Sequence, residues 1–316
     1  VWFAAREFNV QIRFRSAGRQ ARRRDRQSSQ QERPCSTICR YLSESNMKLL
    51  IAGLCVLCLL PPATAAELKI DLGHSQTTWQ TETLLKRSDV RTINLPDDVA
   101  FHRPMRYRAV PLTNLLEGLN ASDHLQFVAS DGFAAEIPAA LLLNKHGSTA
   151  WLAIEDPAHP WPALPGHGHG RAAPFYVVWT QPQAAHIGPE QWPYQLASIR
   201  KLADVAARFP ALQPDRSLPA SSAERRGFVV FQHTCLACHT LNGQGDARLG
   251  PDLNLPHNPT EYLRADLLRA FIRDPQSLRR WPQAKMPGFD RNALSDADLD
   301  AELAYLRHMA GRKTTP

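Results

Sequence analysis

Cys235-Leu236-Ala237-Cys238-His239 is the stretch that decides the reading of this chain. Two cysteines separated by two residues can each add through sulfur to a vinyl group of one haem, and the histidine that follows is then held under the iron as an axial ligand. A redox-active Cys-x-x-Cys needs no histidine, and a structural zinc site needs a second pair of ligands that the neighbouring sequence does not offer. The motif therefore points to one covalent haem c, carried by Cys235 and Cys238, with His239 on the iron.

Working outward, the 316 residues carry a formal charge of +7, which looks like a basic protein. The excess is confined to the front. Residues 1–66 hold 11 Lys and Arg against 4 Asp and Glu, leaving 26 of each for residues 67–316. Nothing in that balance argues for nucleic-acid binding. From Met47 a single lysine, an apolar run from Leu49 to Leu60, Pro61-Pro62 and small residues to Ala66 read as a secretory signal spanning 47–66. The run is too short to cross a bilayer as a helix, so no membrane anchor is expected after cleavage. Residues 1–46 show no apolar period and read as a disordered extension upstream of the natural start. Four of the six cysteines leave with this front end. The mature chain keeps only Cys235 and Cys238, so no disulfide framework is expected. Haem c attachment and export agree on the periplasm.

Residues 67–206 alternate short β-rich runs with turn signals: 90–95, 125–129, 134–137, 151–154, 175–179 and 194–199. Short helices are expected at 111–117 and 138–143, each with proline near its start. This predicts an α+β domain on a mixed sheet. Residues 207–222, with Pro210, Pro214 and Pro219, read as a Pro-rich linker. Residues 223–316 form a second, all-helical domain. Its expected elements are a first helix over 224–232, a middle helix over 260–273 ended by Asp274-Pro275, and a last helix starting at Ser295.

Two family resemblances follow. Tyr107-Arg108-Ala109-Val110-Pro111-Leu112 with Leu115-Leu116, Val128 to Phe133, Trp151 to Ile154 and Pro174 to Trp179 together resemble the molybdopterin-binding domain of the sulfite oxidase superfamily. Catalytic members ligate molybdenum through a cysteine, and residues 67–206 contain none. The resemblance thus implies a degenerate relative without molybdopterin, serving as a partner- or ligand-binding module. Residues 223–316 resemble class I c-type cytochromes, a cytochrome c fold. That resemblance implies crossing first and last helices, with Gly227 and Phe231 against Tyr305 and Leu306. It makes the carbonyl of Pro251 the hydrogen-bond acceptor for axial His239, and Met286, in Lys285-Met286-Pro287-Gly288, the second axial ligand. Met105, Met309, His233, His257 and His308 are the other side chains able to take that position. Trp281, Arg279 and Arg280 are candidates for haem propionate contacts, because indole and guanidinium N–H groups suit a partly buried carboxylate. The Pro- and Gly-rich stretch 158–170 carries His159, His167 and His169, a loop with weak metal-ligating potential.

The expectation is an electron carrier rather than a catalyst. Its partners would be periplasmic redox proteins or a membrane-bound oxidase or reductase, with a small ligand for the first domain as a further option. The alternatives are an oxidoreductase whose first domain binds molybdopterin or a small substrate and feeds the haem, and a haem or ligand sensor with a labile sixth ligand.

Overall fold

The computed structural model describes residues 66–145, 147–165, 170–281, 284 and 286–314. The upstream extension and most of the signal segment lie outside the described residues, as do His167 and His169. Among the described residues no helix is long and apolar enough to cross a membrane.

Nine strands form two sheets. The first, in order β2-β1-β9-β5-β6, comprises β1 (Glu67–Asp71), β2 (Gln76–Gln80), β5 (His124–Ala129), β6 (Ala134–Pro138) and β9 (Leu196–Leu202). Its pairings are antiparallel except β1 with β9, so the sheet is mixed. The second, β3-β4-β7-β8, is antiparallel and comprises β3 (Arg91–Leu95), β4 (Met105–Pro111), β7 (Thr149–Ile154) and β8 (Phe175–Thr180). Side chains from both sheets meet in one core, from Leu68 and Ile70 through Phe127 and Ile199 to Leu152 and Val177. Strand β1 buries alternate residues, as its Glu-Leu-Lys-Ile pattern requires for a strand with one dry face. Strand β8 is buried from Phe175 to Trp179. The 193–194 segment crosses its free edge, and the Val177 amide donates to the Pro193 carbonyl. Short helices α1 (Thr81–Leu85) and α2 (Ala139–Leu142) complete this part.

The 207–222 segment differs from the expected linker. Helix α3 (Val205–Arg208) and a turn at Pro210–Leu212 pack onto the helical half. Leu212 is fully buried there, and its carbonyl accepts a hydrogen bond from the Tyr305 hydroxyl at 2.6 Å. Proline content marks the absence of regular structure, but it does not prevent burial once a neighbour satisfies the backbone. Residues 64–316 accordingly form one compact unit.

The helical half holds α4 (Ala223–Thr234), α5 (Pro259–Tyr262), α6 (Ala265–Arg273), α7 (Pro275–Leu278) and α8 (Asp296–Ala310). Ser222 caps α4 and Ser295 caps α8, each side chain accepting from the amide three residues on. The two helices cross at Gly227. A Cβ at that position would fall 2.6 Å from the Cβ of Tyr305 and onto the Ala301 carbonyl, so only glycine admits this approach. One turn on, the Phe231 ring stacks on Tyr305 at 5.3 Å, with Leu306 in the same cluster. The middle helix is not the single span expected over 260–273. Leu263 and Arg264 are extended, and α6 restarts after them. Leu263 turns toward the Leu268, Ile272 and Phe289 cluster, while Arg264 pairs with Asp266 in the first turn of α6.

Candidate haem site

The haem motif follows α4 directly. The amides of Cys238 and His239 both return to the Cys235 carbonyl, so the chain leaves the helix in a tight turn that brings both thiols and the imidazole together. The two cysteines are not bonded to each other. Burial pushes the Cys235 thiol well above its ordinary range and Cys238 to about 12, with the Glu302 and Glu190 carboxylates adding to the effect at Cys235. Thiols held neutral in this way lack the thiolate that dithiol redox chemistry needs.

His239 Nδ1 lies 2.8 Å from the Pro251 carbonyl oxygen. A carbonyl can only accept, so Nδ1 carries the hydrogen and the lone pair resides on Nε2, the nitrogen free to meet a metal. Burial lowers the pKa of His239 against the opposing effect of the Pro251 bond, which keeps the ring neutral. Gly250 lies against the imidazole, and a Cβ there would fall 2.5 Å from Nδ1. The Gly250 amide donates to the Cys238 carbonyl at 2.8 Å, tying the acceptor segment to the motif. Asp252 fixes that segment from the other side. Its carboxylate accepts from the amides of Asn242, Gly243, Asn254 and Leu255. This donor set, two neutral thiols and an imidazole of fixed tautomer backed by glycine, fits covalent haem.

Met286 is half-buried and packs on the Leu268, Ile272, Phe289 and Leu294 cluster. Its loop is anchored by a residue the sequence reading passed over. Arg273, at the end of α6, donates to the carbonyls of Phe289, Asp290 and Leu294 and pairs with Asp296 at 2.8 Å. A cation in the last turn of an amphipathic helix was the only available signal. Other axial candidates are placed elsewhere: His308 Nε2 accepts from the Asp215 amide, Met309 is buried in the Phe231 cluster and Met105 lies on β4. Trp281 is 59% exposed, with the Arg279 guanidinium 5.8 Å above its ring, and Arg280 is exposed. Of the loop histidines, His159 is exposed beside Asp156 at 3.6 Å.

The sheets reach the motif directly. The Ala134 amide donates to the Ala237 carbonyl at 3.0 Å, and the Arg248 amide to the Gly132 carbonyl at 3.1 Å. Arg208 bridges Glu136 of β6 and Asp246 of the loop after the motif, at 3.0 and 2.7 Å, and Gln126 donates to both carboxylates.

Comparison with known proteins gives a match to the cytochrome c family over residues 224–310. No curated protein matches the chain. The matched span contains the motif, its acceptor segment, the Met286 loop and both crossing helices, and such a domain implies haem c and haem-based electron transfer. Residues 224–310 are a cytochrome c domain.

Proposed function

We propose that the chain is a periplasmic monohaem electron carrier, with haem c joined through Cys235 and Cys238 and ligated by His239 and Met286. The hydrogen bond from His239 Nδ1 to the Pro251 carbonyl carries this reading, since it presents a neutral Nε2 to a single iron. Held by His239 and Met286, a haem would supply one-electron chemistry, and neither side chain would have to leave for the electron to pass. The thioether of Met286 favours the reduced ion and raises the potential. Arg279, Arg280 and Trp281 are assigned to the propionate edge. The sheet half, read as a molybdopterin-free relative of the sulfite oxidase superfamily, serves to bind a redox partner or a small ligand. The absence of cysteine from 67–206 supports this over the oxidoreductase alternative.

The test is the full chain produced in a periplasm competent for haem c and molybdopterin assembly, followed by a metal count. Iron at one per chain without molybdenum is expected. Iron-free protein overturns the reading, and stoichiometric molybdenum transfers it to the oxidoreductase. Met286→Ala should open the iron to carbon monoxide and lower the potential by a substantial part of the roughly 0.8 V over which axial ligands set haem potentials. An unchanged potential removes Met286 from the iron.

A further inference from the structure

Glu302 is the one charged residue on the buried stripe of α8, between Leu299 and Leu306, and it is 1% exposed. Its Oε1 accepts from the Cys235 thiol at 3.6 Å, and among the described residues its Oε2 has no hydrogen-bond partner. Glu190, on the 189–191 turn of the sheet half that packs against α4, is 8% exposed, and its carboxylate raises the pKa of both motif cysteines. Among the described residues no arginine, lysine or histidine pairs with either carboxyl. A buried carboxylate without a cation or a full set of donors is costly, and protonation is its usual relief. Burial accordingly pushes both groups up to about 8.

Haem attachment sharpens the situation. Thioether formation at Cys235 would consume the one hydrogen-bond donor that meets Glu302 among the described residues, and leave its carboxyl beside the sulfur that carries the haem. The other titratable groups in reach are Cys238, consumed in the same way, and Tyr305, which burial holds far above neutral pH. Apart from the haem's own propionates, assigned above to the edge at Arg279, Arg280 and Trp281, the two glutamates are the acids placed to respond to a change of charge on the iron, and their burial sets them apart from that edge.

We propose that Glu302, seconded by Glu190, is a proton site coupled to the haem, so that the domain carries a proton together with its electron. This rests on the haem-attachment reading above. When a one-electron donor reduces ferric iron to ferrous, the added negative charge strengthens the O–H bond at the carboxyl, and Glu302 takes one proton from solvent. Reoxidation by a one-electron acceptor returns both. The sheet half thereby gains a role beyond binding, since it supplies Glu190 to the attachment segment.

The experiment is a titration of the midpoint potential of the full-length haem protein between pH 5 and 10, with infrared difference spectra of the reduced and oxidised forms. In the native chain the potential should fall with rising pH around neutrality. The limiting slope is about 59 mV per pH unit, the one-electron equivalent of a tenfold change in proton activity. A protonated carboxylic acid band should appear on reduction. Glu302→Gln should remove most of the slope, and Glu302→Gln with Glu190→Gln all of it. A potential independent of pH in the native chain overturns the inference, as does a slope that survives in the double variant. If Glu302→Gln does not fold, the infrared band in the native chain decides alone, and its absence is equally fatal. Protein that binds no haem defeats the underlying reading instead, so the two failures are distinct.

Discussion

At the residue scale the site depends on atoms that are missing as much as on atoms present. Gly250 leaves the imidazole of His239 the room it occupies. Gly250→Ala should push the ring off its Pro251 acceptor at a cost of about 1–3 kcal/mol, the usual penalty for overpacking a tight site. The change would be read as a fall in the chemical denaturation midpoint and a weakened iron–histidine signature in the ferrous spectrum. Glu302 gives a prediction with a definite sign. Its folded pKa stands at about 8 against an ordinary 4.5, so the folded state holds a proton that the unfolded state has released across that window. Stability must therefore decline as pH rises from about 4.5 to 8, by at most roughly 1.4 kcal/mol per pH unit. Glu302→Gln should flatten the decline and leave the variant more stable than the native chain at pH 9. Urea titrations at pH 5, 7 and 9 check this, and parallel curves for the two proteins refute it. The motif cysteines and His239 were legible because their chemistry is set by covalent spacing. Glu302 was not read, although a glutamate falling in step with Leu299, Leu303 and Leu306 was the available sign.

At the element scale, caps and apolar stripes placed α4 within two residues at either end and the start of α8 within one, and the resemblance to c-type cytochromes named their crossing at Gly227 and Phe231. What holds the loop between them was not legible. Asn242, Asn254 and Asn258 form a buried ladder. Asn254 donates to Asn242 and to the Met309 carbonyl, and Asn258 donates to Asn254 and to the Leu306 carbonyl. These amides donate to carbonyls in the last turns of α8 and tie the loop to the end of that helix, where the Met309 carbonyl also accepts from the Arg312 amide. Asparagines in a loop usually signal turns, and only the tertiary position of α8 turns these three into struts. Asn254→Ala should leave the Met309 carbonyl to the Arg312 amide and the Asn242 side-chain oxygen to the longer bond from the Thr314 amide, costing about 1 kcal/mol, the net worth of a lost hydrogen bond. Hydrogen exchange should show the loss at the C-terminal turn of α8 first, while uniform loss across the domain would contradict a local strut. The break at Leu263 escaped for a related reason: the apolar spacing runs through it, and only the pull of Leu263 into the Leu268 cluster makes the backbone extend.

At the scale of the whole molecule, the sequence pointed to an α+β part and a helical part, and most strands of the sheets fell on the expected runs. Strands β1, β2 and β4 did not: β2 buries little of its Gln-Thr-Thr-Trp-Gln surface and carries a weak pattern, and the 105–111 run of β4 entered only as part of a family resemblance. The joint between the halves was invisible, because backbone pairs such as Ala134 with Ala237 join positions about a hundred residues apart and leave no local trace. Arg208 is the test of that joint. Burial raises the Glu136 pKa, but hydrogen bonds from His124 and Arg208 outweigh it and hold the carboxyl below its ordinary value. Its contribution to stability is therefore complete above about pH 4.5 and lost as pH falls through the lowered value. Removing the guanidinium by Arg208→Ala leaves the buried Glu136 with His124 and Gln126 but facing Asp246 with no cation between them, for which a loss of about 1–3 kcal/mol at pH 7 is expected. The loss should shrink as pH falls through the lowered value of the native chain, where Glu136 takes up a proton in both proteins. It should also uncouple the halves. The native chain is expected to melt in one transition by sheet circular dichroism and by haem absorbance, and Arg208→Ala in two, with the sheet signal lost at the lower temperature. Coincident transitions at the native temperature would show that Arg208 closes a surface and does not carry the joint.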